Sequence, residues 1–166
     1  MENKDNGEIT IQELPPMRVA SCFTTSRSPE VEVIKFMESW INRKGLDYSK
    51  LRKFGFDIPV SEEQKKYGLR SYEFWVTVPD NIEETEGVKI RFVNSLKYAK
   101  LRIKNPFTDP QAAIPAGWKM LFDWVMAHKE KSNGEEETEG DEEKYMLEEI
   151  VETKEGTCLD LYFPIG

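Results

Sequence analysis

The stretch ITIQELPPMRVA at residues 9–20 has a counterpart, VKIRFVNSLKYA, at residues 88–99, and the match between the two decides the fold. Ile9, Ile11, Leu14, Met17, Val19 and Ala20 lie over Val88, Ile90, Val93, Leu96, Tyr98 and Ala99, every pair seventy-nine residues apart. In both stretches apolar residues alternate on either side of a short break, Pro15-Pro16 in the first and Asn94-Ser95 in the second. Alternation with period two is the mark of a half-buried strand, and a break within it marks a bulge or tight turn. Each copy is therefore expected to open a structural unit as an interrupted strand.

Working outward, Ser28-Pro29 reads as a helix start, because the hydroxyl can cap free amides and proline suits the first helical position. Gly45 is the expected stop. Between them Val33, Phe36, Met37, Trp40 and Ile41 form one apolar stripe at helical spacing. Trp118, Leu121, Phe122, Val125 and Met126 repeat those five spacings eighty-five residues later, after a stretch rich in helix breakers at 105–117.

A candidate hairpin follows each helix, 53–58 with 71–78 and 144–151 with 157–165, and Glu73, Phe74 and Trp75 lie over Asp160, Leu161 and Tyr162. The chain thus reads as one domain over 1–166 with two repeats, at about 8–80 and about 87–166. Two connections, 81–87 and an acidic loop at about 131–143 containing KSNGEEETEGD (131–141), are too polar to be expected in a core.

With 31 acidic against 23 basic residues and a net charge of −8, the chain lacks the clustered cations that track a phosphate backbone, which argues against direct nucleic-acid binding. No run approaches the roughly 20 apolar residues of a membrane span. The start, MENKDNGEIT, lacks the basic and apolar regions of a signal peptide, so a cytoplasmic location is expected. Cys22 and Cys158 have neither the number nor the spacing of a disulfide framework or metal site and read as buried thiols. His128 is the sole histidine, which disfavours an imidazole metal site or a Ser-His-acid triad. No glycine-rich phosphate loop occurs. Neither a cofactor nor a metal is expected.

Four motifs in order, ELPPMRVAS (13–21), YEFWVTVPD (72–80), IPAGWKMLFDW (114–124) and DLYFPIG (160–166), resemble the GyrI-like small-molecule-binding proteins. That family includes the effector-binding domains of AraC-type and MerR-type regulators such as BmrR. The resemblance implies an α+β fold of two strand-helix-strand-strand repeats related by a pseudo-twofold axis. It also implies antiparallel sheets covered by helices on one face, and a ligand groove between the repeats. Regulators of the family carry a helix-turn-helix domain as well; fewer than ten residues precede the first strand here, so the stand-alone form is expected.

Alternation along the hairpin strands places Tyr72, Phe74, Val76 and Val78 on one face and Glu73, Trp75 and Thr77 on the other. A carboxylate beside an indole suits an aromatic cation, so the Glu73 face is assigned to the ligand, with Asp160 and Tyr162 on the equivalent face of the second repeat. Glu148 and Glu149 are neighbours on one strand, so one of them points inward. The family places a drug-contacting glutamate on this strand; Glu148 matches by position, and a one-residue slip would make it Glu149. Spacing makes Trp118 a core residue, and the resemblance lets it also wall the cleft. Trp40 and Trp124 are not assigned to the site.

Three functions follow from the resemblance. The first is binding of an aromatic or cationic xenobiotic by Glu73, Trp75, Trp118, Glu148, Glu149 and Tyr162. The second is hydrolysis of cyclopropane-containing DNA alkylators, with Glu73 and Glu148 sharing the acid/base work. The third, with least support in the residues, is inhibition of DNA gyrase.

Overall fold

The computed structural model describes residues 8–85, 87–129 and 145–165. Its elements in chain order are β1 (Thr10–Leu14), β2 (Met17–Ser26), α1 (Pro29–Arg43), β3 (Lys53–Ile58), α2 (Glu62–Lys66), β4 (Arg70–Thr77), β5 (Lys89–Val93), β6 (Leu96–Lys104), α3 (Pro110–Lys129), β7 (Leu147–Thr153) and β8 (Gly156–Pro164). Short 3-10 turns at Tyr48–Lys50 and Pro106–Thr108 complete the list. The fold is α+β, with antiparallel strand pairing throughout each unit.

The two polar breaks are where the chain changes partner. β1 pairs with β6, although β2 follows it directly, and β2 pairs with β5. The compact units are accordingly 16–94 and the combination of 1–15 with 95–166. The first, called here the central unit, contains β5, β2, β4 and β3 as neighbours in that order, with α1 packed on β2 and β4. The second, the outer unit, contains β1, β6, β8 and β7, with α3 packed on β6 and β8. Corresponding strands have matched registers: Val19 pairs with Arg91 as Tyr98 pairs with Gln12, and Glu73 pairs with Phe23 as Asp160 pairs with Arg102. The repeat is real in three dimensions, but each repeat lends its leading strand to the other unit. Proline inside a ladder removes a donor, and so Pro15-Pro16 can connect two strands but cannot continue one.

The helices follow their stripes with exceptions. Val33, Met37, Trp40 and Ile41 are buried, whereas Phe36 is exposed and lies alongside the 81–87 connection near Gly87. Leu121 and Val125 join Ala99, Leu101, Ile103, Leu159 and Leu161 in the outer unit's core, with Trp118 and Met126 half-buried against it. Phe122 is exposed and meets Phe163 edge-on. The start of α1 differs from expectation, because the Ser28 hydroxyl makes no capping bond, whereas Gly45, at φ +80°, follows the helix end as expected.

Two further corrections concern the loops. The breaker-rich stretch 105–117 already contains the first turns of α3, with Pro110 at its start and Pro115 within it. Gly117 explains why glycine stands there, since a Cβ would fall 2.6 Å from the Ile103 Cδ1 and 3.1 Å from the Leu161 Cδ1. The helix lies that close to its sheet. The 81–87 connection is not merely solvated: Ile82 is buried, Trp40 donates its indole N–H to the Thr85 hydroxyl at 2.8 Å, and Arg18 donates to the Pro79 and Ile82 carbonyls. α2, with a Ser61/Gln64 capping box, joins β3 to β4 and was not anticipated. The acidic loop and Lys144 lie outside the described residues.

Candidate functional site

In the outer unit the α3-facing core residues of β6 and β8 are odd-numbered: Ala99, Leu101, Ile103, Leu159 and Leu161. Alternation therefore puts Tyr98, Lys100, Arg102, Asp160 and Tyr162 on the face that carries no helix. Pairing extends this face to β7, because Glu149 stands opposite Asp160 and Leu147 opposite Tyr162. Glu149 is 5% exposed and accepts the Tyr162 hydroxyl at 2.8 Å. The Tyr98 and Tyr162 rings meet edge-on, with centroids 5.6 Å apart. Burial pushes the Tyr98 phenol up to about 12.

Asp160, 1% exposed, is held by ions on the neighbouring strand. Arg102 donates to both its oxygens, at 2.7 and 2.9 Å, and the Lys100 ammonium lies 3.4 Å away. These hydrogen bonds raise the Arg102 guanidinium above its ordinary value.

Glu148 points the opposite way. It accepts the Trp118 indole N–H at 3.0 Å, on the side where Ile150 packs against the α3 core. The two adjacent glutamates are thus divided between the faces of β7, Glu148 with the helix and Glu149 with the tyrosines. A period of two permits nothing else in a regular strand.

In the central unit Glu73 and Trp75 are brought together directly, the indole N–H donating to the carboxylate at 2.8 Å. Trp75 is fully buried. Phe56 meets its ring edge-on at 5.2 Å, and the Arg91 guanidinium lies 5.6 Å from its centroid. Arg91 also donates to Glu73 at 2.6 Å. Cys22 is buried nearby as expected, and burial together with the charge of Glu73 pushes its thiol up to about 11.

Arg91, Tyr98, Lys100 and Arg102 were not singled out from the sequence. For the last three a signal existed, because β6 alternates apolar 99, 101 and 103 with polar or aromatic 98, 100 and 102. For Arg91 there was none, since it depends on which strand β5 joins. Cys158 is buried as well. His128 is exposed, stacks on Trp124 and bonds to the Trp124 carbonyl, and takes no part in these clusters. A shallow cleft of about 350 Å³ lined by Asn105, Pro106, Phe107, Thr108 and Thr157 carries no charged side chain.

Each unit is an antiparallel sheet covered on one face by a helix and bearing buried aromatics and carboxylates on the other. The chain belongs to the family of integron-associated effector binding proteins, whose model matches residues 10–165. The crystal structure of the EcmrR C-terminal domain is similar over 96% of this chain and 97% of that one, with a TM-score of 0.68 at 15% identity. EcmrR in a cryo-EM complex with DNA also gives 0.68 at 14% identity; 98% of this chain is covered, and it spans 58% of the EcmrR chain. No curated protein matches the sequence. Family and fold make this a small-molecule effector-binding domain, in agreement with the GyrI-like resemblance. No helix among the described residues is long and apolar enough to cross a membrane.

Proposed function

We propose that the chain binds an amphipathic aromatic cation and that Glu149 is the carboxylate recognising it. The supporting observation is the placement of Glu149, nearly removed from water on a face carrying Tyr98 and Tyr162. A carboxylate held on an aromatic face suits a delocalised cation, which is weakly hydrated and gives up its water at little cost. Tyrosine rings add apolar area and cation–π attraction. Glu73 with Trp75 forms a second carboxylate-aromatic pair in the central unit, and Glu148 with Trp118 a third, on the helix side. Because Glu149, Tyr98 and Tyr162 are buried, a ligand reaches them only after this face is uncovered.

The test is a fluorescence titration with ethidium on the wild type, Glu149→Gln and Glu148→Gln, each first checked for folding by circular dichroism. Glu149→Gln should weaken binding at least about tenfold, equivalent to about 1.4 kcal/mol, and Glu148→Gln by less than about threefold. The reverse order would move recognition to the α3 side, and no effect of either would reject carboxylate recognition. Mass spectrometry of the same samples after incubation with a cyclopropane-containing alkylator tests turnover. A ring-opened product lost in Glu73→Gln or Glu148→Gln would make the protein a hydrolase.

A further inference from the structure

We infer that the central unit carries a subsite for a planar aromatic cation bearing an N–H donor, formed by the Phe23 ring and the Oε1 oxygen of Glu73. This deepens the cation-binding reading above, on which it rests, by naming a class of ligand, since a quaternary cation without N–H groups would satisfy that reading equally.

Cross-strand pairing sets Phe23 on β2, Glu73 on β4 and Phe56 on β3 in one row, with Trp75 two residues along β4 on the same face. Glu73 pairs with Phe23 as Asp160 pairs with Arg102, so this face corresponds to the helix-free face of the outer unit. Phe56 and Trp75 are buried and meet edge-on, whereas Phe23 is 63% exposed. In the other repeat the position of Phe23 is filled by Arg102, which binds its acid at both oxygens. Phenylalanine in that place cannot grip the acid and instead sets an apolar ring beside it.

Glu73 is correspondingly engaged at one oxygen. Trp75 and Arg91 both donate to Oε2, at 2.8 and 2.6 Å, and among the described residues Oε1 receives no hydrogen bond. The side chain is 13% exposed, and among the described residues no side-chain oxygen is both buried and without a partner, so Oε1 keeps contact with water. A carboxylate oxygen has lone pairs for a further donor, and Arg91 can stay on Oε2 while a ligand binds. Directly paired residues have Cβ atoms about 4.5–5.5 Å apart, so one flat ring system spans both groups. Its face stacks on Phe23, and an N–H on its edge makes a charge-assisted bond to Oε1.

The test is a fluorescence titration of the full chain with two flat tricyclic monocations, 9-aminoacridine, which is protonated at neutral pH and carries N–H donors, and 10-methylacridinium, which has none. In Glu73→Gln the Trp75 and Arg91 donors hold the amide oxygen at the Oε2 position, which turns the amide NH2 to the Oε1 side and replaces an acceptor by a donor. The preference for 9-aminoacridine over 10-methylacridinium should therefore fall about tenfold. Phe23→Leu should weaken both dyes about fivefold and Phe23→Tyr by less than about twofold. Phe92→Leu, which alters an exposed ring paired with Arg18 on the other face, should change neither. An unchanged preference in Glu73→Gln, or a loss in Phe92→Leu equal to that in Phe23→Leu, overturns the inference. Glu149→Gln run in parallel separates the two readings. If it weakens both dyes while the Glu73 and Phe23 variants bind as wild type does, the subsite fails alone; if the wild type binds neither dye, the cation reading fails with it.

Discussion

Asp160→Asn is nearly isosteric and removes one negative charge from a side chain that is 2% exposed. It turns one acceptor oxygen into a donor, so at most one of the two bonds from Arg102 survives, and it removes the attraction of Lys100, leaving both cations beside a neutral amide. Breaking a buried pair from one side costs about 3–5 kcal/mol, because the remaining charge stays desolvated. Arg102 and Lys100 retain partial contact with solvent, at 34% and 20% exposure, so water recovers some of this and about 2–4 kcal/mol is expected. The contrast is Glu30→Gln, which breaks the ion pair to Arg70 on the surface, where both side chains are more than a third exposed. Such pairs contribute about 0–1 kcal/mol. Urea unfolding at neutral pH should therefore separate the variants by about 1–4 kcal/mol, and a cycle with Arg102→Met should show strong coupling to Asp160. If Asp160→Asn unfolds within about 1 kcal/mol of wild type, or no more easily than Glu30→Gln, burial is not what makes this pair matter.

Gly55→Ala should destabilise by about 1–3 kcal/mol, because a Cβ there would meet the Tyr72 ring at 2.3–2.5 Å, and the loss should shrink when measured in a Tyr72→Leu background. Equal losses in both backgrounds would place the strain elsewhere. Alkaline stability is a third expectation. Cys22 rises from 9.0 to about 11 and Tyr98 from 10.0 to about 12 on folding, so the unfolded chain loses these protons first. Their stabilisation is complete below pH 9 to 10 and is lost as pH rises through the folded values, by up to about 2–3 kcal/mol for each group. Urea titrations between pH 8 and pH 11.5 should show a shallower decline for Tyr98→Phe than for wild type. Parallel curves would contradict the assignment.

Much of the fold was legible in local pattern. The duplicated alternation at 9–20 and 88–99 gave the strands and their breaks, and the helix stripes gave the buried faces of α1 and α3 apart from Phe36 and Phe122. Those two fail because spacing names a face of a helix without saying how wide the surface beneath it is. Gly117 read as a helix breaker, yet it sits inside α3 because the Ile103 and Leu161 side chains leave no room for a Cβ. Here a packing contact outweighs the propensity.

The candidate site divides along the same line. By itself the sequence determined that Glu73 and Trp75 share a face, that Glu148 and Glu149 cannot, and that the two repeats carry unequal acids, since all three follow from alternation and alignment. Only the tertiary structure decided that β1 and β5 exchange units at Pro15-Pro16 and Asn94-Ser95. It alone put Glu148 beneath Trp118 and Glu149 against Tyr162, and brought Arg91 across β2 onto Glu73. The physical reason is range. Side-chain direction along a strand is fixed by neighbours one and two residues away, whereas the choice of strand partner is fixed by burial summed over the whole sheet, which no local stretch of sequence contains.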